Sequence, residues 1–230
     1  MNKYKECIKE LLDEVVLERD YSSFDNAMYE EKITINYDNN ISFVGIIDKI
    51  LYYIKDDITY ISLIDYKTGN DNISLSLLKY GLDIQLPIYL YLSTKLPFNN
   101  IKYTGFYLQK FNIKDKDYRL IGYSNSDKDT LSIIDNNYDN SKIIKGLKTN
   151  KDGSFSKTSK VLSDEEIDKV KDGAEKNIKE VIERIKNNEF TINTKVNDGI
   201  NIGCAYCKFK DICFKQVEDE AVIYSDNELE

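Results

Sequence analysis

The sequence predicts an α/β (α+β) fold, and three observations carry that expectation. Between Glu31 and Tyr66, three segments of strand character follow one another across short turns. From Leu75 to Leu96 the Leu- and Tyr-rich stretch shifts to helical spacing. After strand character returns at Ile101 to Tyr123, a segment opened by Ser163-Asp-Glu-Glu166 places apolar residues at strict intervals of three and four.

Taken in order, residues Lys3 to Arg19 read as a helix, with Tyr4, Ile8, Leu11 and Val15 on one face beside Cys7, Leu12 and Val16. Ser22 to Tyr29 reads as a connection. Glu31 to Tyr37 alternates and predicts a strand, Asn39-Asn40 a turn, Ile41 to Ile54 a second strand, Asp56-Asp57 a turn, and Ile58 to Tyr66 a third. Connections this short make an antiparallel meander. Gly81 divides the next helical stretch, and Pro87 either kinks the longer part or lies in its first turn. Ile101 to Phe111 and Tyr118 to Tyr123 are strands. Asn136 to Lys160 reads as a polar, mobile stretch. The last long helix carries Ile167, Val170, Ala174, Ile178, Val181 and Ile185. There is no internal repeat.

With 230 residues, the chain is long enough for one to two domains and a sound core. We expect one domain over 1–215, with 216–230 a disordered acidic tail. Hydrophobic residues at 41% against 31% charged suit a soluble globular protein, and no apolar run is long enough to span a membrane. The charged start is unlike a signal peptide, so the expected location is the cytoplasm, with no membrane partner.

The chain contains no histidine. That excludes Ser-His-Asp and Cys-His catalysis, HExxH zinc sites and C2H2 fingers. Acid–base and metal chemistry falls to carboxylates, Lys, Tyr and Cys. A GxxxxGK[ST] loop is also absent, so no P-loop motor is encoded here. The net charge of −8 is segregated. Gln216 to Glu230 holds six acids and no base, while Ser141 to Lys160 holds Lys142, Lys145, Lys148, Lys151, Lys157 and Lys160 against Asp152. This basic segment is either a solvated loop or a track for an anionic partner. Six phosphate contacts on a single strand correspond to a log–log salt slope of about −4.

Three motifs carry chemistry: Val44-Gly-Ile-Ile-Asp48, Ile64-Asp65-Tyr66-Lys67-Thr68-Gly69 and Gly81-Leu-Asp-Ile-Gln85-Leu-Pro-Ile-Tyr89. Residues two apart on a strand share a face, so Asp65 and Lys67 point the same way. Asp48, on the preceding strand, can sit beside Asp65. Two adjacent carboxylates repel unless a cation joins them, and Mg²⁺ (or Mn²⁺) suits oxygen ligands. Gln85 and Tyr89, four apart on a helix, share a face and can pin the lysine or a phosphate. Taken singly, each feature is satisfied by a surface ion pair worth under about 1 kcal/mol. The combination in this order is not.

The series G-x-x-D, D-Y-K-T-G and Q-x-x-x-Y resembles the PD-(D/E)xK nuclease superfamily in its RecB-like branch, over roughly Glu30 to Tyr91. The resemblance implies a restriction-endonuclease-like mixed β-sheet flanked by helices and a Mg²⁺-dependent nuclease centre. By it, Asp48 and Asp65 are metal ligands, Tyr66 offers its backbone carbonyl, Lys67 is the catalytic lysine, and Gln85 and Tyr89 form the helix motif. Glu30 or Glu31 matches an upstream acidic position.

Cys204-Ala-Tyr-Cys207-Lys-Phe-Lys-Asp-Ile-Cys213 is C-x2-C-x5-C. Three thiolates so close suit one soft metal centre, whereas zinc modules usually show two paired C-x2-C arms. The triplet is similar to the one closing the nuclease domain of AddB-type helicase–nuclease subunits, which implies a 4Fe-4S cluster stapling the chain ends. Cys7 is then the fourth ligand, or else a core residue of the first helix. The family pattern places that cysteine further upstream, followed by a histidine this chain lacks. If Cys7 is not the ligand, both missing groups belong to a preceding segment of a longer protein. The resemblance implies a DNA exonuclease of recombination and repair, with DNA as substrate and a helicase subunit of an AddA-type complex as partner. The alternatives are a degenerate nuclease fold that binds DNA or a helicase without cutting, and an unrelated zinc-stapled interaction domain.

Overall fold

The computed structural model describes residues 2–69, 73–111, 117–192, 194–197, 199–205 and 207–223. Its centre is a six-stranded sheet in sequence order: β1 (Asn26–Asn36), β2 (Ser42–Lys55), β3 (Ile58–Lys67), β4 (Ile101–Lys110), β5 (Leu120–Asn125) and β6 (Val161–Leu162). β1, β2 and β3 run antiparallel, as the short turns require; β3 and β4 are parallel, β4 and β5 antiparallel, and β5 and β6 parallel. The sheet is therefore mixed, as the sequence resemblance implied.

A parallel pair needs a crossover, and α2 (Gln85–Ser93) lies within the one between β3 and β4. Along β3 the side chains alternate: Ile61 and Leu63 pack with α2 and with α4 (Asp164–Lys186), while Ile64 packs with α1 (Asn2–Tyr21) and α3 (Lys128–Ile134). Helices thus cover both faces, and a strand buried on both sides reads as the near-continuous apolar run of β3. No helix among the described residues is long and apolar enough to cross a membrane.

The structure differs from the sequence expectations at five points. β1 begins at Asn26, inside the expected connection, because its polar edge is held by ladder bonds from Asn26↔Tyr52 onward rather than by alternating burial. The helix expected over Leu75 to Leu96 is shorter: a 3-10 turn at Leu78–Tyr80 ends on Gly81 at φ 72°, and Pro87 sits in the first turn of α2. Lys128–Ile134 forms a helix, with Asp127 accepting the Asp129 amide as its cap. The polar stretch 136–160 is anchored, since Ile143, Ile144 and Leu147 are buried in the α1/α3 core. In α4 the capping box forms as expected, but the buried stripe ends Ile178, Ile182, leaving Val181 and Ile185 exposed.

A second sheet joins β7 (Thr194–Asn197), β8 (Ile200–Asn201) and β9 (Glu220–Ile223), with β7 and β9 parallel. It brackets the cysteine segment. Of the expected acidic tail, residues 224–230 lie outside the described residues.

Candidate active site

The β2–β3 ladder closes at Lys49↔Ile64, and the next row along it is Asp48 beside Asp65. There the pairing changes character. The Tyr66 amide donates to Asp48 Oδ2 at 2.9 Å instead of to a backbone carbonyl. The amide and carbonyl of one strand residue face the same neighbouring strand, so the Tyr66 carbonyl leaves β3 on the Asp48 side. On the next strand out, Glu30 occupies the register position opposite Asp48, at φ 51°.

Helix α2 closes the row. The Tyr89 hydroxyl lies 3.0 Å from Asp48 Oδ1 and 3.1 Å from Asp65 Oδ1, and Gln85 Nε2 donates to it at 3.2 Å. A phenol has one proton to give, so two carboxylates share a single donor. Gln85 Nε2 also donates to Asp65 Oδ1 at 2.5 Å, while its Oε1 accepts from the Lys67 ammonium. Lys67 Nζ stands 2.8 Å from Asp65 Oδ2, yet that buried oxygen has no partner in hydrogen-bond geometry. The ion pair is close but misaligned. Burial, with the Asp48 charge adding to it, raises the Asp65 pKa above the ordinary carboxylate value against the pull of Lys67. Burial likewise pushes the Tyr89 phenol up, helped by both carboxylates. Two carboxylates brought onto one phenol, Asp65 buried and held against the charge of Asp48, fit a divalent cation in donor type and in charge. Among the described residues no three Cys, Asp or Glu side chains gather as a metal cluster, so carbonyl and water would complete the coordination of such an ion.

Gly45 of the G-x-x-D motif explains how α2 comes this close. A Cβ there would lie 2.3 Å from Leu92 Cδ1, and Leu92 is fully buried. Gly45→Ala is expected to cost about 1–3 kcal/mol by overpacking and to lower activity by lifting α2, with Gln85 and Tyr89, off the row. Urea denaturation and kcat together check this; a variant unchanged in both would show that α2 is not held through this contact.

Beneath the row lies a polar cluster that sequence reasoning missed. Lys49, next to Asp48 but facing α1, sits 3.1 Å from Glu18 Oε2. Gln109 Nε2 donates to Glu18 and, at 3.1 Å, to the Tyr118 carbonyl. Lys49, Glu18 and Gln109 are all buried. The one sequence clue was a second charged residue, Lys49, directly after Asp48 in a strand that is apolar on either side of them.

The other expected site residues are dispersed. Cys204, Cys207 and Cys213 are free thiols; the Lys215 ammonium, paired with Glu220, lies near Cys204 and Cys213. The side chain of Cys7 lies outside the described residues. The six lysines do not form one row. Lys142 covers the Tyr21 ring, Lys145 pairs with Asp117 at 3.1 Å, and Lys160 donates to the Ile73 carbonyl at 2.6 Å. Lys148, Lys151 and Lys157 are exposed.

Compared with known proteins, the chain matches the PD-(D/E)XK nuclease superfamily over residues 1–214. It is similar to the B subunit of the ATP-dependent helicase/deoxyribonuclease of Thermoanaerobacter sp. (strain X514), 28% identical over 212 residues, covering 82% of this chain and 18% of that protein. The same-named subunit of Clostridioides difficile (strain 630) is 30% identical over 218 residues, again 82% and 18%. That of Lachnoclostridium phytofermentans (strain ATCC 700394 / DSM 18823 / ISDg) is 26% identical over 223 residues, 83% and 19%. The chain spans about a fifth of the length of the curated relatives it matches.

Proposed function

Because the chain belongs to the PD-(D/E)XK nuclease superfamily, we propose that it is a Mg²⁺-dependent deoxyribonuclease domain that degrades DNA from an end during recombination and repair. The observation that carries this reading is the row Asp48, Asp65, Lys67 under one shared phenol. A Mg²⁺ or Mn²⁺ ion held by Asp48, Asp65 and the Tyr66 carbonyl would supply the charge that makes water nucleophilic at neutral pH and offsets negative charge at phosphorus. Lys67 donates to the attacking water or to a non-bridging phosphate oxygen. Gln85 fixes Lys67 and Asp65 relative to each other, and Tyr89 sets the spacing of the two carboxylates. Asp48, Asp65 and Lys67 standing together favour cleavage, while the family histidine missing from this chain is what the binding-only alternative rests on.

The similarity to helicase/deoxyribonuclease B subunits supports an AddA-type helicase subunit as partner and the cytoplasm as the place of action. We assign 1–215 to the nuclease domain and 216–230 to an acidic terminal segment, of which Glu220–Ile223 pairs with β7. End-labelled linear and circular DNA, single- and double-stranded, incubated with Mg²⁺, Mn²⁺ or EDTA, tests the activity. Metal-dependent release of short products from linear but not circular substrate is expected. Binding without cleavage under either metal would give the domain the non-cutting role.

The cysteine segment, by the same reading, holds a 4Fe-4S cluster on Cys204, Cys207, Cys213 and Cys7. Chain prepared without oxygen is expected to be brown and to contain about four irons, and Cys207→Ser to lose both colour and iron. Colourless protein carrying zinc would replace the cluster with a zinc staple.

A further inference from the structure

Between the 3-10 turn and α2 the chain takes two left-handed steps, Gly81 at φ 72° and Asp83 at φ 51°. Glycine adopts such a backbone freely, whereas aspartate adopts it at a cost. Asp83 lines a cavity of about 480 Å³ whose wall also carries Lys67 and Gln85 of the catalytic row. Ile73, Ile84, Leu86, Ile88 and Leu108 make the rest of the lining apolar.

Asp83 is the one carboxylate of that lining, and its situation differs from that of Asp48 and Asp65. Those two are engaged by Tyr89, and further by the Tyr66 amide and by Gln85. Asp83 has no hydrogen bond or ion pair among the described residues, and partial burial alone acts on its pKa, raising it. It is exposed overall, so it stands at the mouth of the cavity and not in its depth.

An unengaged carboxylate beside an apolar lining suits a ligand that is flat and apolar on its faces and carries hydrogen-bond donors on its edge. A phosphate is excluded from that place by like charge. A nucleobase meets the description, since its faces suit the isoleucine and leucine side chains and its edge can donate. Among the bases, guanine matches a carboxylate best. Its N1–H and N2–H donors lie side by side, as do the two carboxylate oxygens. Adenine and cytosine each present one amino group, and thymine presents one N–H between two carbonyl oxygens that a carboxylate repels.

We propose that this cavity receives the base adjoining the scissile phosphate, and that Asp83 selects guanine there. The proposal rests on the nuclease reading above and adds a base preference to it.

The test uses single-stranded DNA of random sequence, cut with Mg²⁺, with the new ends sequenced. Guanine is expected to be enriched about fivefold at one position beside the cut, the low end of what a two-bond pair between a side chain and a base discriminates. Asp83→Gly suits the left-handed backbone, and Asp83→Asn keeps the shape while exchanging one acceptor for a donor; both are expected to erase the enrichment. Because the bases compete within one reaction, a general loss of activity leaves the ratio unmoved. Inosine in place of that guanine lacks the N2 amino group. It is expected to slow cutting about fivefold in the wild type and to change nothing in Asp83→Gly. Urea midpoints establish that each variant is folded.

Wild-type products without guanine enrichment, or an enrichment that survives Asp83→Gly, overturn the proposal, and the cleavage itself leaves the nuclease reading standing. If the wild type cuts nothing, the same DNA is bound in Ca²⁺ and the bound fraction sequenced. Guanine enrichment that Asp83→Gly erases would then uphold the base site and remove the nuclease reading; no enrichment would remove both.

Discussion

Asp65→Asn and Lys67→Ala are each expected to reduce metal-dependent cleavage by about 10²–10³-fold, or about 2.7–4 kcal/mol of barrier, the scale for removing one preorganised charged group from a transition-state site. The two losses differ in kind, and a second measurement separates them. Binding of Mn²⁺ to the folded state raises its stability by about 2.7 kcal/mol at a hundredfold excess over Kd. Wild type and Lys67→Ala should both show that rise in melting temperature, because the ammonium is not a ligand. Asp65→Asn should lose it.

Without metal, Asp65→Asn is expected to melt no lower than wild type. The Asp65 pKa is raised in the fold, chiefly by burial, so its ionisation works against folding. Stability tied to this group is complete below the unfolded pKa and is lost as pH rises through the folded one, leaving neutral pH on the costly side. Asparagine keeps the shape and removes the charge. The Lys67 ammonium that loses its partner is partly exposed, so water and the Gln85 oxygen still solvate it. Wild-type cleavage rates in both variants would remove these residues from the site. A large drop in metal-free melting temperature for Asp65→Asn would show the carboxylate to be structural.

The row could be read from the sequence because a strand fixes side-chain direction by counting. Asp65 and Lys67 are two apart, Gln85 and Tyr89 four apart, and the Asp56-Asp57 turn sets the register that brings Asp48 opposite Asp65. Counting fails where partners come from distant segments. Glu18 meets Lys49 across 31 positions, and nothing near either residue announces the other. The 142–160 segment misleads for the opposite reason. Its lysines dominate the composition, yet Ile143, Ile144 and Leu147 decide its path by burial. Near the end of α4 the buried stripe is taken by Ile178 and Ile182, leaving Val181 and Ile185 exposed instead of in the core. Thr194–Asn197 and Glu220–Ile223 gave no strand signal of their own, since their parallel pairing joins segments far apart in sequence.

The largest effect on stability is expected from the pair beneath the row. Lys49 and Glu18 are 4% and 5% exposed, and Gln109 ties Glu18 to the Tyr118 carbonyl. Taking either charge away leaves the other buried without its counterion, which costs about 3–5 kcal/mol. That is a large share of the roughly 5–15 kcal/mol that holds a domain together. Glu18→Ala and Lys49→Met should therefore each shift the urea midpoint sharply downward. Glu18→Leu/Lys49→Met removes both charges and fills the space with apolar atoms, so it should recover most of the loss. Burial pushes the Lys49 ammonium toward neutrality, but Glu18 outweighs it and holds the pKa above 10.5. A group raised in the fold contributes fully below its unfolded pKa and loses that contribution only as pH climbs past the folded one. The single-variant deficit should thus be flat across neutral and mildly alkaline pH. Because Lys49 adjoins Asp48, and Tyr66 lies between Asp65 and Lys67, slackening this cluster also loosens the row above it. The double variant should regain cleavage along with stability. Single variants as stable as wild type would mean that the pair contributes nothing net. A stable double variant that does not cleave would show that the charges themselves, and not the packing they enforce, position Asp48.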